Sequence, residues 1–259
     1  MPVTATRLTP HFAARIDGAD ISQPVDPATW TAIRAALDAH SVLVFHRARL
    51  DDDAQIAFSR QFGALEVTRS INPAAGTPFA RQSNLDIKTG DVIPSDDRRM
   101  IYQLANMLWH SDSSFKEVPS LCSRRAENAL VVHDFSWSRD QVRPGFFTDK
   151  ERGEYPPVRH PLVRTNPVTG EKSLFLGAHA SHVVGLPIDD GRAFLKELLA
   201  HVTQVQFCYR HAWKEDDLVI WDNRCVLHRA TPFDATSHKR FMQRTTVAGN
   251  PAELATMVQ

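Results

Sequence analysis

The chain has 259 residues, 42% of them hydrophobic and 23% charged, enough to bury a full core and ordinary for a globular protein. Thirty basic residues balance thirty acidic ones, so no net field steers the chain toward nucleic acid or an anionic membrane. Three cysteines, Cys122, Cys208 and Cys225, are widely spaced and cannot all pair, which excludes a disulfide framework and leads us to expect a reduced, cytoplasmic setting.

In chain order, "FAARIDGAD" predicts a short strand running into a turn. Residues 28–40 place Trp30, Ile33 and Leu37 at helical spacing behind Pro27, a helix start. "SVLVFH" (41–46) predicts a buried strand, and the acidic triplet Asp51–Asp53 opens a second helix carrying Ile56, Phe58 and Phe62, with Gly63 as its stop. Residues 66–100 are polar and rich in Pro, Gly, Asn and Asp, and predict a long irregular segment. Strands follow, "LWHSDSSF" among them. A helix is expected over 189–202, with Phe194, Leu195 and Leu198 on one face, and then the strands "DLVIWD", "CVLHRA" and "FMQRTTVAG". Early helices followed by many short strands predict a mainly β chain with flanking helices, a sandwich or jelly roll. No apolar run is long enough for a signal peptide or a bilayer span, so none is expected.

In "NMLWHSDSSF", His110 and Asp112 stand two apart, a spacing that chance alone would supply in a chain with 12 histidines and 30 acidic residues. On a strand, however, residues two apart share a face, so both side chains could enter one cavity. Two imidazoles and one carboxylate form the facial triad of Fe(II) oxygenases, which leaves positions open for substrate and O₂. The candidate third ligand is His228 in "WDNRCVLHRATPF". "KRFMQR" sets Arg240 and Arg244 four apart, on one face of a strand and about 13 Å apart along it. Two such guanidinium groups suit the two ends of a small dicarboxylate, which arginine grips in a fork that lysine cannot reproduce.

This ordered set resembles the Fe(II)/2-oxoglutarate-dependent dioxygenases of the taurine dioxygenase family, and most of all their aryloxyalkanoate (2,4-dichlorophenoxyacetate-type) branch. The likeness continues through "IDGADI", "VLVFH", "IAFSRQFG", "HPLVRTNPVTGEKSLFLGAHASHVVGLP" and "VIWDNRCVLHR". It implies a double-stranded β-helix (jelly roll, cupin-like) in one domain over residues 1–259. The cofactors it implies are Fe(II), 2-oxoglutarate as cosubstrate, and O₂. His110, Asp112 and His228 would ligate the iron, Arg240 would bind the distal carboxylate of 2-oxoglutarate, and Arg244 the near carboxylate or the anionic head of the substrate. Asn106 and Ser113 match positions that meet the substrate, and Thr68, Arg69 and Ser70 match a loop lining its pocket. The implied partner is a small anionic organic substrate, with no nucleic acid or membrane, in a homo-oligomer. An aryloxyalkanoate hydroxylated beside its ether oxygen would collapse to a phenol and a keto acid, with succinate and CO₂ formed. The alternative within the family is a taurine, alkylsulfonate or sulfate-ester dioxygenase. Outside it stand a zinc hydrolase using the same ligands and a non-catalytic binding protein.

The chain departs from the family in one place. "VPSLCS" runs directly into "RRAENALVVHDF", without the family's Gly-Gly-x-Thr lid loop and most of the helix after it. Between Ser123 and Arg124 there is either a true deletion or a segment left out of the chain. The second is preferred, because both flanks match the family and end abruptly. The remaining histidines carry plainer expectations. His179 and His182, three apart, fall on opposite faces of a strand and are at most supporting groups. His133, His160, His201, His211 and His238 are surface or core residues, and Trp109 and Trp221 pack beside the ligand strands.

Overall fold

The computed structural model describes residues 2–68, 72, 74–86, 88–112, 114 and 129–249. In chain order the described elements are β1 (Thr4–Arg7), β2 (Ala14–Asp17), α1 (Pro27–His40), β3 (Val42–Phe45), α2 (Asp52–Arg60), β4 (Phe79–Ser83) and α3 (Arg98–Leu104). The second half contains β5 (Leu130–His133), α4 (Phe135–Asp140), α5 (Asp149–Glu154), β6 (Val158–Pro161), β7 (Val163–Thr165) and β8 (Lys172–Leu174). It ends with β9 (Ala180–Val183), α6 (Ile188–Val202), β10 (Leu218–Trp221) and β11 (Phe241–Thr245). The strands form four small sheets, ordered β1-β2-β3-β10, β11-β4, β6-β5-β9 and β7-β8.

The helices form where the sequence supplies their ends. Asp26 caps α1 by accepting from the N–H groups of Ala28 and Thr29, and Pro27 opens it with a φ already suited to a helix. The helix stops at Ser41, whose left-handed φ of 59° turns the chain into β3. Its buried residues Ile33 and Leu37 pack with Ile16, Leu43, Phe45 and Phe58 in a first core cluster. Asp51 caps α2, which ends at Arg60, a short turn before Gly63. The expected α6 is present, with Leu195 buried and Phe194 and Leu198 packed on a second cluster built from Val131, Leu162, Leu176 and Val183. It lies close against β9. A Cβ at Gly191 would come within 2.9 Å of the Val183 nitrogen.

Three expectations change. The segment 66–100 is not irregular throughout: it contains β4 and α3, the latter capped by Asp97. "LWHSDSSF" and "CVLHRA" are not extended strands over their described residues. They meet in a single antiparallel bridge, His110 with His228, and the chain turns at Asp112. Arg240 also stands one residue before β11 rather than in it. The junction of Ser123 with Arg124 lies outside the described residues, as do Arg69, Ser70, Ser113 and Cys122. Cys208 and Cys225 are free thiols. Among the described residues no helix is long and apolar enough to cross a membrane.

The route from core to candidate site runs through β3. Its partner β10 pairs antiparallel with it, Trp221 opposite Val42, and the Asp222 N–H donates to the Ser41 carbonyl (2.8 Å) just past the pair. Leu43 is fully buried in β3. Leu43→Ala is expected to cost about 2–5 kcal/mol of stability, read from the midpoint of urea unfolding.

Candidate metal centre

His110 and His228 exchange two backbone hydrogen bonds, His110 N–H to the His228 carbonyl (2.9 Å) and His228 N–H to the His110 carbonyl (2.8 Å). Directly opposed residues of an antiparallel pair project side chains to the same side, and the two rings lie with centroids 4.3 Å apart. Asp112 adds its carboxylate to that side. One ligand atom from each of His110, Asp112 and His228 lies within 4.8 Å of the others, the one such metal-capable group among the described residues. Nε2 of His228 is 3.3 Å from Asp112 Oδ2, and Nε2 of His110 is 4.0 Å from Oδ1.

Each ligand candidate is oriented from behind. Nδ1–H of His110 donates to the Leu108 carbonyl (2.7 Å). A carbonyl only accepts, so this bond fixes the proton on Nδ1 and leaves the Nε2 lone pair for a metal. Burial, then the neighbouring His228, pushes the His110 pKa down to about 3, against the pull of Asp112. The ring is therefore neutral and ready to ligate. Burial alone would raise the Asp112 carboxyl, but Arg244 and then His228 hold it well below the usual carboxylate range. Arg244 Nη1 donates to both Asp112 oxygens at 2.7 Å.

The sequence reading missed the residue that ties these parts together. Asn223 receives Ser111 Oγ–H on its backbone carbonyl (2.8 Å), while its side-chain oxygen accepts the Asp112 N–H (3.3 Å) and Trp221 Nε1–H (3.1 Å). Trp221 also packs its ring 4.8 Å from that of His228. The next residue, Arg224, donates through Nε to both Asp222 oxygens (3.0 Å each) and reaches Asp38 of α1 at 3.7 Å. "WDNR" was legible as turn chemistry, but its Asx side chain was the signal for these bonds. Gly177 is a second omission. Its φ is +114°, and a Cβ there would sit 2.8 Å from the Trp109 carbonyl oxygen and 3.1 Å from His110 Cα.

Of the other expected site residues, Arg244 lies on β11 and Arg240 just before it. Arg240 stacks its guanidinium over Phe233 at 4.4 Å, and burial lowers its pKa from the ordinary value. Nε of each of these arginines is buried with no partner among the described residues. Asn84, itself buried, clamps this approach, accepting the Arg240 N–H (2.8 Å) and donating to the carbonyls of Ala235 and His238. Asn106 joins the site segments: its carbonyl accepts the Ala230 N–H (2.7 Å) and its Nδ2 donates to Gln82 (2.7 Å). Thr68 is half-buried, and its backbone bonds run to Thr77 and Gly76 rather than to the site segments. His179 packs edge-on against His110 at 6.2 Å, whereas His182, in β9, has its Nδ1 within 3.0 Å of the Ser181 hydroxyl. His133 and His160 are core residues, as expected.

These groups meet the needs of an octahedral Fe(II) bound by three protein ligands on one face. The donor set is two imidazoles and one carboxylate. Two buried arginine Nε–H groups, without partners among the described residues, suit a dianionic ligand.

Comparison with known proteins places this geometry. The family model described as Taurine catabolism dioxygenase TauD, TfdA family matches residues 4–124 and 122–246, two stretches that meet around the Ser123–Arg124 junction. The chain is similar to the alpha-ketoglutarate-dependent 2,4-dichlorophenoxyacetate dioxygenase of Burkholderia sp. (strain RASC), at 36% identity over 98% of this chain and 97% of the relative. That alignment runs over 291 positions, more than the 259 residues of the chain. The protein of the same description from Cupriavidus pinatubonensis (strain JMP 134 / LMG 1197) is 37% identical over 95% of this chain and 98% of its own. Among solved structures, AAD-2 in complex with Mn(II) and N-oxalylglycine superposes with a TM-score of 0.86 and 31% identity, covering 96% of this chain and 98% of that one.

Gly177→Ala strains a left-handed position and drives a methyl group into the backbone beside His110. It is expected to cost about 1–3 kcal/mol, measured by urea unfolding followed through tryptophan fluorescence.

Proposed function

The chain belongs to the taurine catabolism dioxygenase TauD, TfdA family, and from that premise we propose that it is a 2-oxoglutarate-dependent non-haem iron dioxygenase acting on an aryloxyalkanoate. The observation that carries this reading is the convergence of His110, Asp112 and His228 beneath the Arg244 guanidinium. We assign His110 Nε2, a carboxylate oxygen of Asp112 and His228 Nε2 as the iron ligands. When bound, iron and 2-oxoglutarate supply oxidation of a C–H bond by O₂, one oxygen atom entering the substrate and the other the succinate formed with CO₂.

The chain's own residues bind, orient and exclude. Arg240 takes the distal carboxylate of 2-oxoglutarate. Stacking on Phe233 holds the guanidinium and Asn84 holds the backbone beneath it before the ligand arrives, so little ordering entropy is lost on binding. Arg244 lies between Asp112 and the incoming anions, and neutralises the carboxylate while presenting its remaining N–H groups to the near carboxylate or the substrate head. Asn106 lines the substrate side, and Ser113 with the Thr68, Arg69 and Ser70 loop is assigned to it through the family resemblance. Hydroxylation of the carbon between carboxylate and ether oxygen gives a hemiacetal. Its C–O bond breaks to release a phenol and a keto acid. The four small sheets are read as parts of one double-stranded β-helix, in a single domain over residues 1–259 that lacks the lid segment. A cytoplasmic homo-oligomer completes the reading.

The test is an anaerobic titration with Fe(II) and 2-oxoglutarate, followed by O₂ and a panel of phenoxyalkanoates and alkylsulfonates. Phenol and succinate released together from a phenoxyalkanoate are the expected result. Sulfite release from taurine without phenol release would move the substrate to the sulfonates. His110→Ala is expected to abolish turnover, and Arg240→Ala to weaken 2-oxoglutarate at least tenfold, since a charged hydrogen bond is worth about 1.5–3 kcal/mol. Asn223→Ala removes support behind Asp112 and should weaken Mn(II) affinity by about 10–100-fold, measured calorimetrically.

A further inference from the structure

The face of the β4–β11 ribbon that carries Arg244 also carries an uncharged polar element. In the antiparallel register Ala80 lies opposite Arg244, and Gln82 opposite Met242. Residues two apart share a face, so Gln82 and Arg244 project to the same side, the side on which Arg244 meets Asp112. Gln82 Oε1 accepts from Asn106 Nδ2 at 2.7 Å. The Asn106 carbonyl in turn accepts the N–H of Ala230, two residues beyond His228, and Asn106 itself stands four residues before His110. The Gln82–Asn106 pair is therefore tied to both segments that supply the candidate ligands. Gln82 and Asn106 are half-buried, and neither Gln82 Nε2 nor Asn106 Oδ1 makes a hydrogen bond among the described residues.

A cation and a neutral amide donor on one face suit a ligand with an anionic head and an uncharged acceptor a few bonds away. An aryloxyalkanoate has that pattern: its carboxylate and ether oxygen flank the carbon to be hydroxylated. We propose that Gln82 is a specificity-determining residue, whose Nε2–H donates to the ether oxygen while the carboxylate engages Arg244, so that the carbon between them is held toward the metal. This rests on the aryloxyalkanoate reading above. A site built to donate to an oxygen discriminates against the analogue lacking it, because the donor is then left unpaired. An alkylsulfonate offers no acceptor at that position and gains nothing from Gln82.

The experiment measures the dissociation constants of phenoxyacetate and of 3-phenylpropanoate, its analogue with CH₂ in place of the ether oxygen. Both are read anaerobically, from the optical change each causes in the enzyme loaded with Fe(II) and 2-oxoglutarate. The wild-type enzyme is expected to prefer the ether by up to about tenfold, the value of one neutral hydrogen bond. Gln82→Leu should bring that ratio near one while the affinities for Fe(II) and 2-oxoglutarate stay unchanged. Gln82→Glu keeps the shape but replaces the donor with an acceptor, and should weaken the ether more than the analogue. Equal weakening of both ligands in the two variants, or an unchanged ratio, would overturn the proposal and reduce Gln82 to a packing role. Failure of either ligand to bind the wild-type enzyme, with taurine binding instead, would overturn the aryloxyalkanoate reading itself.

Discussion

Two backbone hydrogen bonds, exchanged between His110 and His228, are the constraint on which the rest of the site depends. Because they make a directly opposed pair, they set both imidazoles on one side without any side-chain contact having to do so. A one-residue slip of either segment would put its ring on the opposite side from the other. A single bridge is a weak device by itself, since the chain turns at Asp112 and no ladder continues on that side among the described residues. The neighbourhood supplies what a longer ladder would have supplied. The Ala178 N–H donates to the Trp109 carbonyl (2.7 Å), a close approach that the missing side chain of Gly177 permits. From the other side Asn223 gathers Ser111, Asp112 and Trp221. The pairing of β10 with β3 then ties the bridge to the first core cluster.

Electrostatics follows from this packing. His110 is buried enough to stay neutral, and Asp112 stays charged in spite of its burial because Arg244 lies against both its oxygens. An isolated buried carboxylate would be costly. The arginine makes the carboxylate tolerable and keeps it an anion, which is the form a metal needs.

The sequence made parts of this legible, and the reasons are local. The cap and spacing of α1 and the apolar face of α6 are short-range signals, and both helices appear within a residue of their expected starts. The convergence of His110, Asp112 and His228 was also legible, although by a partly wrong route. His110 and Asp112 were read as alternate residues of one long strand, whereas a lone bridge and a turn bring them together. β4 was missed because "FARQS" has neither β-branched residues nor clean alternation, and it becomes a strand by pairing with β11 far along the chain. α3 was missed because "RRMIYQL" buries only Ile101, leaving its Asp97 cap as the main signal. Asn223, Gly177 and Gln82 matter through partners distant in sequence, and no spacing rule reaches those.

The two-stranded β4–β11 ribbon is separate from the bridge that sets the imidazoles, and this has a consequence for the history of such an enzyme. The groups suited to hold metal lie on a segment where Gly177 leaves no room for a methyl group and Asn223 holds several bonds at once. The face that carries Arg244 lies on a ribbon with half-buried positions such as Gln82 and Met242. Substitutions at such positions, unlike ones at Arg244, leave the contacts around Asp112 in place. The fold thus sets a tightly constrained engine beside a more tolerant grip, joined through Arg244, so that substrate range can shift at the grip while the reaction stays the same.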